Sequence, residues 1–335
     1  MRLSLGAFLL SLVTAPAVAS DFTLQWPLDC RLGETCHIQQ YVDHLPGPAT
    51  QDYKCQGLSY SGHKGTDIAL PYLSDMQAGV AVRAAAPGVV QGVRNTMPDT
   101  YSTQENAELL KGRECGNGVV LRHEGGWETQ YCHMKQGSVR VQKGQQIAAG
   151  TALGEVGLSG KTQFPHLHLS LRLNGAVVDP FAPEGRPSCD LDTEATPATS
   201  LSEATPATSL WAEPLPYQPG GFLGAGFSTH VPEFIEIKSG AATRERLTTQ
   251  SPALVFWAYA FGGQKGDRVR LTISGPKGVF SVHEITLERD QAQFFRASGK
   301  RLRSEAWDYG RYTALAVLLR DEEEIDRIEE VVDLR

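Results

Sequence analysis

The chain has 335 residues, of which 41% are hydrophobic and 21% charged, and its formal net charge at pH 7 is −7. This ordinary globular composition excludes a disordered chain, a collagen and a coiled coil, and the length fits about two domains. There is no basic stripe of the kind that nucleic-acid-binding proteins use, so we expect no nucleic-acid partner. Much of the negative charge lies in residues 321–335, which we interpret as a solvated face.

The N-terminus has the pattern of a secretory signal peptide. A positive start at Arg2 precedes an apolar run over 3–13, and Ala17-Val18-Ala19 forms a small-x-small cleavage site. We therefore predict a signal peptide over 1–19 and export to the periplasm or the extracellular space. The run is too short for a membrane span, which needs about 20 residues, and no later stretch reaches that length. No transmembrane segment is expected.

Residues 20–190 form the first predicted domain, and it is rich in strands. Short apolar runs predict strands over 80–84, 88–93, 118–123, 127–133 and 166–173. Glu124-Gly125-Gly126 lies between two of these runs and predicts the turn of a β-hairpin.

The six cysteines agree with export. All of them lie between residues 30 and 189, and in an oxidising compartment they predict up to three disulfides. Cys115 and Cys132 bracket the predicted hairpin; they are out of register, but a bulge near residues 116–118 would bring them together. We predict this bridge and leave the pairing of Cys30, Cys36, Cys55 and Cys189 open.

Residues 191–219 form a predicted linker. The segment EATPATSLS at 194–202 is followed by EATPATSLW at 203–211, and three prolines come after it. Sequence of this Thr/Ser/Pro/Ala composition cannot bury a core and behaves as an extended spacer.

Residues 220–335 form the second predicted domain. Val269, Leu271 and Ile273 alternate with polar residues, and about seven short strands fit into the segment. This pattern predicts a small β-sandwich of immunoglobulin or fibronectin type, with Trp257 and Tyr312 in its core. The segment carries no catalytic constellation, so we interpret it as a cell-wall-binding module, a protein-binding module or a spacer.

Four of the nine histidines lie in three informative segments. His166 and His168 are two apart on a predicted strand, so both side chains project from one face. His63 and Asp67 flank Gly65, where a kinked segment would direct both side chains to one point. Imidazoles with one carboxylate are an ordinary zinc ligand set, and three protein ligands with an open position are typical of a catalytic site.

The remaining histidines match no motif. His123 lies near the turn of the hairpin and is expected to be exposed. The others are interpreted as surface or satisfied side chains: His37, His44, His230 and His283.

Seven segments of the first domain, in this order, resemble the lysostaphin-type (LytM-type) zinc metalloendopeptidase family of peptidoglycan hydrolases. They are GHKGTD at 62–67, AAAPGVV at 84–90, GNGVVLRH at 116–123, TQYCHM at 129–134, VQKGQQI at 141–147, LGEVGLSG at 153–160 and PHLH at 165–168. The resemblance runs from about residue 60 to 181 and implies a mainly antiparallel β domain with a groove across its sheet.

The resemblance also implies the roles of the site residues. His63, Asp67 and His168 correspond to the ligands of one zinc ion per chain, and His133 and His166 to the two catalytic histidines. Two features depart from the family. The family often has Glu where this chain has Ser170, and an insert over 95–114 alters the shape of the groove.

The predicted function is that of an exported zinc metalloendopeptidase. It would hydrolyse peptide bonds of peptidoglycan with a zinc-activated water and the assistance of two histidines. One alternative is a non-catalytic regulator of cell-wall hydrolases on the same scaffold, but such members typically lack ligands and this chain keeps all five site residues. The other alternative is a secreted general protease, which would cleave unrelated proteins.

Overall fold

The computed structural model of the chain describes residues 22–185, 209–244 and 246–335. The predicted signal peptide, Cys189 and most of the nine-residue repeat lie outside these residues. In the part of the chain that is described, no helix has the length and hydropathy needed to cross a bilayer.

The first domain is built on one large antiparallel sheet. Its strands are β1 (His37–Gln40), β2 (Thr66–Ala69), β4 (Gly88–Arg94), β5 (Asn117–Arg122), β6 (Trp127–Met134), β7 (Gln146–Ile147), β9 (His166–Leu173) and β10 (Ala176–Val178). They lie in the order β1-β2-β9-β6-β5-β4-β7, and β10 also pairs with β9. A separate pair joins β3 (Ala81–Arg83) to β8 (Ala152–Glu155), and two short helices are present, α1 (Leu73–Ala78) and α2 (Ala107–Leu110).

The side chains of β9 alternate between the hydrophobic core and the opposite face of the sheet. Leu167, Leu169 and Leu171 are fully buried in the hydrophobic core. Because successive side chains of a strand point to opposite faces, His166 and His168 lie together on the other face, as predicted. Burying each leucine contributes on the order of 2 kcal/mol, so the register of β9 is strongly fixed, and a shift by one residue would turn the histidines into the hydrophobic core and the leucines out of it.

The predicted hairpin and its disulfide are both present. A 3-10 turn over Glu124–Gly126 joins β5 to β6, and Cys115 is bonded to Cys132. The register shifts between Asn117 and Val119, which is the bulge that the pairing needed. A second disulfide joins Cys30 to Cys36, a pairing that the sequence left open.

The prediction for His123 was wrong. Its side chain is buried rather than exposed. Its Nδ1 lies 2.7 Å from the carbonyl oxygen of Pro87 and its Nε2 lies 2.8 Å from Thr129 Oγ1. Both ring nitrogens have hydrogen-bond partners, and His123 therefore connects the hairpin to the loop before β4.

The second domain consists of two antiparallel sheets that pack face to face. Its strands are β11 (Gly221–Ser228), β12 (Ala253–Gly263), β13 (Arg268–Gly275), β14 (Gly278–Thr286), β15 (Gln291–Arg301), β16 (Gly310–Arg320) and β17 (Glu323–Leu334). The orders are β11-β12-β15 and β14-β13-β16-β17. The prediction that Tyr312 lies in the core between the sheets is confirmed, whereas Trp257 is buried in a separate apolar cluster with Ile237 and Tyr259. The mainly antiparallel β architecture of the chain is also confirmed. In the edge strand β17, Glu324, Glu329 and Asp333 are exposed, whereas Asp326 accepts a hydrogen bond from the backbone N–H of Phe222.

The two domains are in direct contact. Gln39 on β1 donates from Nε2 to the carbonyl oxygen of Ala292, 2.8 Å away, and His37 lies with its ring 4.4 Å from that of Phe261. A short helix of the second domain, α3 (Phe234–Ser239), contacts α1 of the first. The second domain therefore borders the edge strand β1 and the start of β9.

The described end of the predicted linker does not behave as a free spacer. Residues 209–219 lie along the first domain, where Leu24 donates its backbone N–H to the carbonyl oxygen of Leu210 at 2.7 Å. Trp211 is buried and packs against Phe181. Apolar residues at the end of the repeat thus add to the first core, while the domain boundaries themselves stay a prediction.

Candidate metal centre

Three of the predicted site residues converge through the pairing of β2 with β9. Asp67 and His168 are direct partners in this antiparallel pair, so their side chains share one face. His168 Nδ1 lies 2.7 Å from Asp67 Oδ1. His63 comes from the turn before β2, and its Nε2 lies 3.2 Å from both Asp67 Oδ1 and His168 Nδ1.

Gly65 makes this convergence sterically feasible. A Cβ at position 65 would lie 2.7 Å from two ring atoms of His168 and from the carbonyl oxygen of Leu169. Contacts below 3.0 Å to backbone cannot be relieved cheaply, so any side chain here would push β9 away. The glycine between the two predicted ligands lets the backbone of His63–Asp67 approach the imidazole.

The hydrogen bonds around the cluster leave lone pairs directed at one point. His63 Nδ1 lies 2.6 Å from the carbonyl oxygen of Tyr41. A carbonyl oxygen can only accept, so Nδ1 carries the proton and the neutral ring presents the Nε2 lone pair to Asp67 and His168. On the far side of His168, Nε2 lies 3.0 Å from Ser170 Oγ, which leaves Nδ1 for the centre.

The donor set fits a zinc ion. Zinc binds His nitrogen and carboxylate oxygen at about 2.0–2.2 Å in tetrahedral geometry, which places ligand atoms about 3.4 Å apart. The observed separations of 2.7 to 3.2 Å require only a small opening of the cluster. Groups whose lone pairs face one another repel unless a cation lies between them, and burial makes this repulsion more costly. His63, Asp67 and His168 are three such groups, and each is buried or partly buried.

His133 and His166 border the cluster. Their ring centroids are 4.6 Å apart, and His166 Nε2 lies 3.5 Å from Asp67 Oδ1. His133 donates from Nδ1 to the carbonyl oxygen of Ser159 at 2.8 Å, and His166 from Nδ1 to that of Phe164 at 2.9 Å. In both rings Nε2 is therefore the nitrogen without a proton.

The backbone of His133 is unusual. Its φ of +61° lies in the left-handed region, which a residue with a Cβ rarely adopts. In a regular strand His133 would point to the face opposite Cys132, whose partner across the sheet is His168. The positive φ breaks this alternation and lets His133 reach the same centre. Strain of this kind concentrates at functional sites.

Three of the five groups have lowered pKa values, and the cause differs between the two imidazoles and the carboxylate. Burial lowers the pKa of His133 well below its ordinary value, and the imidazoles of His166 and His168 lower it further. Burial is also the main reason that the pKa of His166 is lowered. Burial by itself would raise the pKa of Asp67, but His63 and the other imidazoles hold it well below the usual range. At neutral pH the centre thus contains a carboxylate and two imidazoles that can accept a proton.

A cleft of about 420 Å³ opens beside His63. Its lining includes His63, Lys64, His44 and Asp179. His44 Nε2 lies 2.7 Å from Asp179 Oδ2, so these two residues brace one wall.

The structure brings all five predicted site residues together, but the sequence did not predict the groups that hydrogen-bond to these residues and orient them. The carbonyl oxygens of Tyr41 and Ser159 orient His63 and His133, and backbone carbonyls leave no signal in the residue type. Ser170 was identified as a departure, and the structure gives it a hydrogen bond to His168. The insert packs beside the site, where Asp99 Oδ1 accepts from the backbone N–H of Leu158 at 2.8 Å.

Comparison with known proteins agrees with this geometry. Residues 61–180 match the model of Peptidase family M23. The chain is 34% identical over 122 residues to the DD-carboxypeptidase/endopeptidase Mpg of Neisseria meningitidis serogroup B, which covers 36% of this chain and 22% of that protein. It is 32% identical over 117 residues to the peptidoglycan DD-endopeptidase ShyA of Vibrio cholerae, covering 35% and 22%. The matched part is thus about a fifth of those relatives.

Among solved structures, the catalytic domain of the prophage-encoded M23 protein EnpA from Enterococcus faecalis is 26% identical. The match covers 42% of this chain and 94% of that one, with a TM-score of 0.28. The match of residues 61–180 to this family model confirms the resemblance that the sequence motifs indicate.

Proposed function

We propose that the chain is an exported zinc metalloendopeptidase that hydrolyses peptide bonds of peptidoglycan. The observation that carries the proposal is the convergence of His63 Nε2, Asp67 Oδ1 and His168 Nδ1 within 3.2 Å, with two further imidazoles at the same centre. A structural zinc site would be closed by a fourth protein ligand. Among the described residues, the cluster offers three.

His63, Asp67 and His168 would hold one zinc ion. When bound, zinc supplies Lewis-acid chemistry, since it polarises a carbonyl and lowers the pKa of water to about 7. The chain supplies orientation: the carbonyl oxygen of Tyr41 and the hydroxyl of Ser170 fix which ring nitrogen each histidine directs inward.

His133 and His166 would do the proton work. Both rings are buried, both have lowered pKa values, and both direct an unprotonated Nε2 inward. In this state a ring can take a proton from the attacking water and return it to the leaving amine. After protonation each ring becomes a donor that stabilises negative charge developing on the scissile carbonyl oxygen.

The substrate class comes from the relatives. Mpg is named a DD-carboxypeptidase/endopeptidase and ShyA a peptidoglycan DD-endopeptidase. The family match over residues 61–180 contains all five site residues. Two disulfides and the predicted signal peptide support export to an oxidising compartment. The second domain would serve as a binding module for the cell wall or for a protein partner.

The test is incubation of purified peptidoglycan with the zinc-loaded full-length chain, followed by mass spectrometry of the released fragments. Fragments that differ by one hydrolysed peptide bond are expected, and chelation should abolish them. Release of nothing by a zinc-loaded protein would favour the non-catalytic regulator. Equal cleavage of an unrelated unfolded protein would favour the general protease. Sedimentation of residues 220–335 with purified cell wall tests the binding module separately.

A further inference from the structure

A lysine of the second domain reaches the loop that carries a site histidine. Lys238 lies on α3, and its Nζ donates to the carbonyl oxygen of Gln163, 3.4 Å away, in the first domain. The two residues are 75 positions apart in the sequence. The contact is therefore a product of domain packing, and Lys238 lies outside residues 61–180, which match the family.

The loop in question holds the ring of His166. Gln163 lies between Thr162 and Phe164, whose hydroxyl and carbonyl oxygens are 3.1 and 2.9 Å from His166 Nδ1. The Phe164 ring also stacks on the imidazole, with centroids 4.4 Å apart. Gln163 precedes His166 by three residues and consecutive Cα atoms are about 3.8 Å apart, so their Cα atoms lie at most about 11 Å apart, a span that two to three residues of an extended peptide cover.

Among the described residues, the charge of Lys238 has no carboxylate partner. No Asp or Glu oxygen of the described residues lies within 4.0 Å of its Nζ, whereas Lys277 in the same domain pairs with Asp308 at 2.6 Å. Instead, Nζ lies over the rings of Tyr101 and Phe234, 5.2 and 5.3 Å from their centroids. Aromatic faces hold a cation in place but do not neutralise it.

Lys238 is also partly desolvated. The lysine is partly buried between the two domains, and this burial lowers its pKa. A cation that has lost part of its water and has only ring faces and one carbonyl for contact gains more from an anion than a fully hydrated one does. Tyr101 belongs to the insert that departs from the family, so both the insert and α3 shape this position.

We propose that Lys238 forms a carboxylate-binding subsite, through which the second domain selects peptides that carry a free carboxylate two to three residues from the scissile bond. The direction toward a scissile bond rests on the proposed function. The anion binding itself rests only on the position and charge of Lys238. The carboxylate can be a side chain of the peptide or its C-terminus, since both offer the same two oxygens.

The test measures the affinity of the full-length chain for three synthetic peptides by fluorescence anisotropy. The parent peptide carries one side-chain carboxylate and a C-terminal carboxylate, and each derivative has one of the two converted to a carboxamide. A chelator is present, so that hydrolysis does not consume the probe. One derivative should bind about tenfold more weakly than the parent, and its identity reveals which carboxylate is read.

Lys238→Met keeps most of the apolar stem and should weaken the parent about tenfold while leaving the poorly bound derivative unchanged. Lys238→Arg should retain the preference. Lys300→Met is the matched control, because Lys300 also lies over a ring, that of Phe280, but in a different part of the second domain. It should bind all three peptides as the wild type does.

Equal weakening of all three peptides by Lys238→Met would overturn the proposal and leave Lys238 as a contact that only holds the domains together. A wild-type protein that binds the three peptides equally would overturn it even if Lys238→Met does not fold. With zinc restored, absence of hydrolysis of any peptide would count against the proposed function alone, because the binding preference is measured without catalysis.

Discussion

Each domain buries charged side chains, and the two do so in opposite ways. In the second domain, the guanidinium of Arg320 makes two hydrogen bonds to the carboxylate of Asp267, at 2.9 and 2.8 Å. Two more of its N–H groups donate to the carbonyl oxygens of Pro219 and Gly262, and Asp267 also accepts from the backbone N–H of Gln264. All three guanidinium nitrogens and both carboxylate oxygens therefore have partners, and the two charges compensate each other.

The cluster in the first domain is incomplete by the same measure. His63, Asp67 and His168 direct three electron-rich atoms at one another, and their outward nitrogens are already held by Tyr41 and Ser170. A satisfied buried pair fixes the fold, while convergent lone pairs indicate a place for a cation and chemistry.

The largest effect is expected from Asp67→Ala. The substitution removes one of three ligands and the only carboxylate of the cluster, so zinc should be absent from the purified protein and hydrolysis should be lost completely. Metal content and hydrolysis of a peptide substrate are measured on the same sample. A variant that retains one equivalent of zinc would show that the metal lies elsewhere.

His133→Ala should separate catalysis from metal binding. It removes no ligand, so about one zinc per chain should remain, while turnover falls by about 10²–10⁴-fold if the ring does acid–base work. His123→Ala is the matched control. His123 lies on the same hairpin and is buried like His133, but both of its ring nitrogens have hydrogen-bond partners. It should lower the melting temperature and leave turnover per folded molecule unchanged. Unchanged turnover in His133→Ala would contradict the assignment.

Local sequence patterns predicted two parts of the site. The two-residue spacing of His166 and His168 fixed their common face, and the bracketing of the hairpin predicted the bridge between Cys115 and Cys132. Local patterns did not predict the positive φ of His133, because this backbone conformation depends on the bulged pairing of β5 with β6. They also missed all contacts between the domains, which join residues far apart and leave no periodic signal.

Asp267→Asn should break the satisfied pair in the second domain and reveal its structural character. The guanidinium of Arg320 would stay buried without its counter-charge, which costs about 3–5 kcal/mol of unfolding free energy. Zinc content should not change. The double variant Asp267→Leu with Arg320→Met removes both charges and should be less destabilised than the single one. Loss of zinc along with stability would mean that the two buried clusters are coupled.

His37 is an intermediate case, in contact with both domains. Its Nε2 lies 3.1 Å from Gln39 Oε1, and its Nδ1 has no partner among the described residues. Burial lowers its pKa from 6.5 to about 4, so the unfolded chain binds a proton more readily than the folded one between these values. The contribution is therefore intact above pH 6.5 and is lost as the pH falls toward 4, by about 3 kcal/mol in total.

The measurement is the free energy of urea unfolding at pH 7 and pH 4.5, for the wild type and His37→Asn. Removal of the titrating ring should make the variant lose less stability than the wild type over this interval, whatever its stability at pH 7. If both proteins show the same pH dependence, another group is responsible and His37 is not the pH-sensitive element between the domains.

The smallest effect is expected from Ser170→Ala, which leaves every ligand in place. The hydroxyl of Ser170 contacts His168 Nε2 and thereby helps to orient the ring whose Nδ1 faces the centre. Loss of such a support typically costs 10–100-fold in metal affinity, so competition with a chelator should remove zinc from the variant sooner, while the fold is unchanged. Thr66→Val is the matched control: its hydroxyl is buried beside Asp67 but has no hydrogen-bond partner among the described residues. If Ser170→Ala holds zinc as tightly as Thr66→Val does, the orientation of His168 comes from β9 and its packing alone, and the departure from Glu at this position has no consequence for the metal.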